Sequence, residues 1–240
     1  MRLGSDFEKI DFTFCGLDLL EPNSLIGNTI LFISAIIISI KVQNLSLETP
    51  FFSYWRLFFI AFGCSFFIGG LGHGFYNYWG VVGKYPGWIA SIISLYFMER
   101  AMLSLLQYHR QNLFVLLAKI KLFIFVVSEL FVFAFLDLKG NPQIGLLIPS
   151  IASAICFLTC LGYLGLRFAR DINSSFRYFY WSVIVLFPSA IIQGMKISIA
   201  PWLDRSDLSH LLLLVVLWLH WKGVHEYAKY NLLNKGRKSI

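Results

Sequence analysis

The sequence predicts an all-α membrane protein, a bundle of seven transmembrane helices with its N-terminus outside and its C-terminus in the cytoplasm. Three observations carry this expectation. Of 240 residues, 58% are hydrophobic and only 14% charged, where a soluble domain carries about a quarter charged residues. Apolar stretches of the length that crosses a bilayer, about 18 residues or more, recur along the chain between short polar connections. Lys and Arg gather in alternate connections, as positive-inside sorting distributes them.

The first span is expected from about Leu25 to Val42, with Asn23 or Ser24 as its N-cap. A second follows from Phe52 to His73. The third covers Gly87 to Leu106, after the breaker Pro86-Gly87. The fourth runs from Leu113 to Leu136 and ends at Asp137-Leu138-Lys139-Gly140-Asn141-Pro142. The fifth spans Gln143 to Leu166, the sixth Tyr178 to Ala200, and the seventh Leu208 to Tyr230. Short connections favour sequential antiparallel packing. The chain thus divides into an extramembrane segment (1–24), a seven-helix domain (25–230) and a basic cytoplasmic tail (231–240).

Orientation rests on the loops. Lys41, Arg110, Arg167, Arg170 and Arg177 follow the odd-numbered spans, and Lys222, Lys229, Lys235, Arg237 and Lys238 end the chain. The opposite side has the acidic N-terminus, with Lys84, Lys139 and Arg205 set against Asp137, Asp204 and Asp207. An odd number of spans follows, with the N-terminus outside or lumenal.

The net charge of +7 sits in loops and tail, so it points to membrane sorting and not to nucleic acid. Cys15, Cys64, Cys156 and Cys160 make no disulfide framework; the last two share a helix face and read as small apolar packing groups. The acids Asp6, Glu8, Asp11, Asp18 and Glu21 give the N-terminus the wrong charge for a cleavable signal. No dinucleotide fingerprint, P-loop or zincin motif occurs.

His73 ends the second span in Gly69-Gly70-Leu71-Gly72-His73-Gly74, and His210 begins the seventh in Ser206-Asp207-Leu208-Ser209-His210. Antiparallel topology sets both at the outer level, and imidazole is a common metal ligand. The residues alone equally allow a lone histidine at each helix end. Zinc needs three protein ligands and a water to act as a catalyst. Asp207 shares a face with His210 and is the nearest third ligand, with Asp204 and Glu129 as further candidates. Metal-bound water would be brought towards neutral pKa.

Three stretches resemble the superfamily of seven-span membrane hydrolases that contains alkaline ceramidases, adipokine-type receptors and hemolysin-III-like proteins. They are Asp11 to Cys15 followed by Glu21-Pro22-Asn23-Ser24-Leu25-Ile26-Gly27-Asn28, then Gly69 to His73, then Ser206 to His210. The resemblance implies a zinc-dependent hydrolase of lipid amides with His73 and His210 at the metal; Asp207, sharing the His210 face, is expected as the replacement third ligand, and Asp207 and Ser206 are the catalytic candidates. It also implies calcium at Asp18, Glu21 and Asn23. The chain departs from that pattern at three places. Gly69 stands where the family has serine, Ser206 where it has its other seventh-span histidine, and Lys84 where it has an acid. Two further expectations therefore stand beside the hydrolase: a non-catalytic membrane protein that binds lipid, metal or a protein partner, and a structural subunit of a larger membrane complex.

Other polar residues have plainer explanations. His220, about 15 Å along the helix from His210, reads with Trp218, Trp221 and His225 as packing and interfacial belt. Phe75, Tyr76, Tyr78 and Trp79 read as the belt on the other side. Arg56, Lys119 and Lys121 are expected to snorkel. Glu99, Arg100, Glu129, Gln193 and Lys196 are expected to face the interior or a wet cavity, with the plainer alternative that Lys196 snorkels to the interface and Glu129 pairs with a neighbour.

Overall fold

The computed structural model describes residues 1–238; Ser239 and Ile240 lie outside the described residues. So do the side chains of residues 108–110 and 235–238, and with them Arg110, Lys235, Arg237 and Lys238 of the loop and tail charges.

Each predicted apolar segment is helical. The long helices are α1 (Pro22–Gln43), α2 (Pro50–Gly74), α3 (Tyr85–Leu103), α4 (Tyr108–Phe135), α5 (Pro142–Asp171), α6 (Arg177–Gly194) and α7 (Arg205–Lys238). Proline opens α1, α2, α3 and α5, where its fixed φ suits the first turn and its missing N–H costs no bond. Within α5 the stretch Phe157–Leu164 widens to π pitch. The sixth helix stops earlier than its apolar run suggests, because Lys196 takes a left-handed φ of 49° and turns the chain away.

The residues before α1 depart from an all-α reading. Asp11–Phe14 (β1) and Leu17–Leu20 (β2) pair antiparallel, joined by Cys15 and Gly16 at φ 51° and 79°. Two consecutive positive φ values make the turn whose twist suits a two-residue hairpin.

Five helices, α1, α2, α5, α6 and α7, are long and apolar enough to cross a membrane. On α1, Ile26, Ile30, Ile33, Ile37 and Ile40 point outward while Leu31, Ala35, Ser39 and Val42 point inward. This apolar exterior is what a bilayer solvates, and the chain is a multi-pass membrane protein. The two remaining long helices, α3 and α4, pair their charges with one another. The Lys121 ammonium of α4 meets the Glu99 carboxylate of α3 at 2.7 Å, so Lys121 is an inward ion-pair partner and does not snorkel. Arg100 donates to Tyr96 Oη at 2.8 Å and lies 4.6 Å over the Tyr54 ring.

The core is aromatic and fills the space between α2, α6 and α7. Trp55, fully buried, stacks on Phe179 at 4.9 Å and meets Phe58, Phe59 and His220 edge-on or tilted. His220 is therefore core and not interfacial belt. The Ser182 hydroxyl gives its proton to the Phe179 carbonyl at 2.6 Å, so His220 Nε2–H donates to Ser182 Oγ at 3.0 Å. Cys156 donates to the Leu95 carbonyl at 3.5 Å, and Cys156 and Cys160 are buried packing groups.

Candidate functional site

The first turns of α1 lie between the end of α2 and the start of α7, and small residues make this possible. A Cβ on Gly70 would stand 2.7 Å from Asn28 Cβ, and one on Gly27 would stand 2.9 Å from His210 Nδ1. A Cβ on Gly72 would meet the Gly83 carbonyl oxygen at 2.7 Å and Lys84 Cγ at 3.0 Å. The glycines of Gly69-Gly70-Leu71-Gly72 thus bring α1 and the 3₁₀ segment Gly80–Lys84 against α2, as small residues do at membrane helix interfaces.

The closest polar cluster forms around His73. Its Nδ1 bonds the Glu21 carboxylate through Oε2, and a hydrogen bond there requires the proton on Nδ1. The Lys84 ammonium, 3.3 Å from the same nitrogen, is then a neighbouring charge and not a donor to it. Lys9 holds the other Glu21 oxygen at 3.3 Å. Tyr76 lies under both lysines, 4.8 Å from Lys9 and 5.3 Å from Lys84. Glu21 itself takes a left-handed φ of 50° immediately before Pro22, with its amide bonded to the Ile10 carbonyl at 2.9 Å.

Burial alone would raise the Glu21 carboxyl. The hydrogen bond and charge of His73, with Lys9 and Lys84, outweigh it and hold the group at about 2. Burial and the nearby Lys9 bring the Lys84 ammonium down to about 8 against the pull of Glu21. The two groups give opposite contributions at neutral pH. Glu21 stabilises the fold above its ordinary 4.5, and that contribution is lost as pH falls from 4.5 towards 2. Charged Lys84 penalises the fold below pH 8, and the penalty fades as pH rises from 8 to 10.5. Each window spans about 3 kcal/mol. Thermal unfolding in detergent should therefore show stability rising with pH in both windows. The alkaline rise should vanish in Lys84→Met and the acid limb in Glu21→Gln; limbs unchanged in both variants would refute the assignment.

His210 lies against Gly27, with the Phe66 ring edge-on at 5.8 Å. Its Nδ1 is buried without a hydrogen-bond partner among the described residues. Asp207 is occupied otherwise. Its Oδ2 accepts from Asn23 Nδ2 at 2.6 Å and from the Asp204 amide at 3.0 Å. Asp204 in return accepts from the Ser206 and Asp207 amides at 2.7 and 3.0 Å. This is a reciprocal helix cap, and the Asp204-x-x-Asp207 spacing was its signal in the sequence. Ser206 enters through its backbone amide. Asn23 ties α1 to α7 and caps nothing; the α1 N-cap is Glu21.

Among the described residues no three of His, Cys, Asp and Glu gather in an arrangement that would hold a metal. The three calcium candidates go separate ways. Asp18 accepts from Thr13 Oγ1 at 3.1 Å, Glu21 bonds His73 and Lys9, and Asn23 bonds Asp207. Glu129 lies far along α4 beside the aromatic stack of Tyr85 and Phe133. Gln193 donates to Ser209 Oγ at 2.9 Å and fastens α6 to α7. The link sequence reasoning missed is Glu21 with His73. Its only trace was an acid placed directly before the helix-opening Pro22.

The fold and site together define a multi-pass helical membrane protein with a half-buried carboxylate–imidazole–ammonium cluster where α1 begins and α2 ends. Residues 24–229 match a family of unknown function (DUF6962), and the chain belongs to that family. No curated protein and no solved structure matches the chain.

Proposed function

We propose that the chain is a seven-span member of the ceramidase-like superfamily, N-terminus outside or lumenal and C-terminus cytoplasmic, that binds membrane lipid without hydrolysing it. The single observation that carries the second half is Lys84. In the superfamily's pattern an acid belongs at this position. Here an ammonium stands 3.3 Å from His73 Nδ1, and Glu21 answers the histidine. A fixed cation beside His73 opposes a second cation at the same nitrogen, and the Asp207 carboxylate is committed to Asn23 and the α7 cap. As arranged, these residues do not fit zinc. With Lys9 and Lys84 against one Glu21, the cluster suits an anionic or strongly polar lipid headgroup.

Seven spans are supported by the way α3 and α4 manage their charges. Glu99 and Lys121 neutralise each other across the interface. Meanwhile Leu117, Ile120, Phe123, Ile124, Phe131 and Phe135 give α4 an apolar outer face.

A metal-dependent hydrolase is the second reading, favoured by the orphaned Nδ1 of His210 at the same end of the bundle as His73. Elemental analysis of detergent-purified protein separates the two. We expect no stoichiometric zinc in the wild type, with lipid co-purifying and no turnover of lipid amides. The combined variant Gly69→Ser, Lys84→Asp and Ser206→His should gain about one zinc per chain, the count of a three-ligand site. Gly69 has open space for a side chain, with nothing within 4 Å of a Cβ. One zinc per wild-type chain, lost in both His73→Ala and His210→Ala, would overturn lipid binding in favour of hydrolysis.

A further inference from the structure

Helix α4 brings Lys121 and Glu129 inward, and only the first is answered. Lys121 pairs with Glu99. Glu129 has a relative exposure of 0%, and neither carboxyl oxygen has a hydrogen-bond partner among the described residues. One turn further, Phe133 stacks on Tyr85 at 3.9 Å, and Trp88 packs against both at 5.8 and 6.0 Å. Gly145 of α5 presses on the Trp88 ring and closes that side.

The charged and titratable groups around it offer no neutralising cation. On α3, the titratable group on this side is Tyr85, stacked on Phe133. Lys84, which precedes it, is held in the Glu21–His73 cluster. On α4 the nearest cation, Lys121, is about 12 Å away along the axis. The first half of α5, Pro142 to Cys156, carries no charge. Asp137, beyond α4, accepts from the Lys139 and Gly140 amides. An isolated carboxylate in such surroundings is strongly disfavoured, and one proton removes the charge. A metal ion would demand several more oxygen donors, and aromatic rings supply none.

We propose that Glu129 is an intramembrane proton-binding site. The carboxyl holds its proton in the closed bundle and releases it when α3 and α4 part far enough to admit water. This places a second functional group on the α3–α4 side, separate from the His73 cluster and independent of the lipid reading.

The test treats the full chain in lipid nanodiscs with N,N′-dicyclohexylcarbodiimide, an apolar reagent for protonated carboxyls. The acid oxygen bonds the central carbodiimide carbon while its proton passes to one nitrogen. Migration of the acyl group from oxygen to nitrogen then gives a stable N-acylurea, with no leaving group and no change of oxidation state. Peptide mapping should find the adduct on Glu129 and not on Glu99, which is paired with the Lys121 ammonium at 2.7 Å. Labelling should fall as the medium is made alkaline and should vanish in Glu129→Gln. Infrared spectra at neutral pH should show the carbonyl band of a protonated carboxyl in the wild type and lack it in Glu129→Gln. Should that variant fail to fold, Glu129→Asp should shift the band instead of removing it. Modification of Glu99 with Glu129 untouched, or a carbonyl region identical in the wild type and Glu129→Gln, would overturn the proposal.

Discussion

Trp55→Ala should destabilise the bundle by about 3 to 5 kcal/mol, the range for emptying a large aromatic from a packed core. The indole is 0% exposed and touches five other rings, on α2, α6 and α7. Those neighbours are themselves rigid aromatics, so the hole cannot be filled by a rotamer change. In a bilayer the lost term is dispersion contact, since lipid tails are as apolar as the core. Chemical unfolding in mixed micelles measures this effect, with Trp181→Ala as the control because Trp181 is 53% exposed. Equal losses for the two variants would mean that the aromatic cluster does not hold the three helices together.

Glu99→Ala is the second large effect. It leaves the Lys121 ammonium inside the bundle with its partner gone, and breaking a buried pair from one side costs about 3 to 5 kcal/mol. Lys121 keeps 26% exposure, so the expected loss is at the lower end. The double variant Glu99→Gln with Lys121→Met removes both charges and keeps the shape, and should recover most of the wild-type stability. A double-mutant cycle reads the coupling directly. Additive losses would show that the two side chains do not depend on each other in the membrane.

Hydropathy made the helices readable because a span must be apolar over its whole length, and Pro86 marked the start of the third, while Pro22, Pro50 and Pro142 open helices a few residues before their apolar runs. The hairpin was also written in the chain, as Phe12 to Leu20 around Cys15-Gly16, but it is too short to compete with the apolar runs around it. The partners of individual polar residues were not readable. Glu99 meets Lys121, and Glu21 meets His73, because of lateral adjacency between helices, which span order does not determine. His220 sits in the core because of the rotation of α7 about its axis. A belt residue and a core residue on that helix differ by a fraction of a turn, and so many of its residues are apolar or aromatic that neither face stands out. Asp207 was visible as an acid near His210, but its role in the α7 cap depended on noticing Asp204 three residues earlier.

The residues that begin the chain are fastened to residues near its end. Arg2 and Ser198 exchange backbone bonds at 2.7 and 3.1 Å, the Gly4 amide reaches the Met195 carbonyl at 3.0 Å, and Asp6 pairs with Arg205 at 3.0 Å. Asn23 is bonded to Asp207 at 2.6 Å. During synthesis the first residues therefore emerge long before their partners exist, and closing so long a loop is intrinsically slow. The end of the bundle where α1 begins is completed last, only after α7 has formed. A chain cut short of α7 leaves Asp6 and Asn23 without these partners.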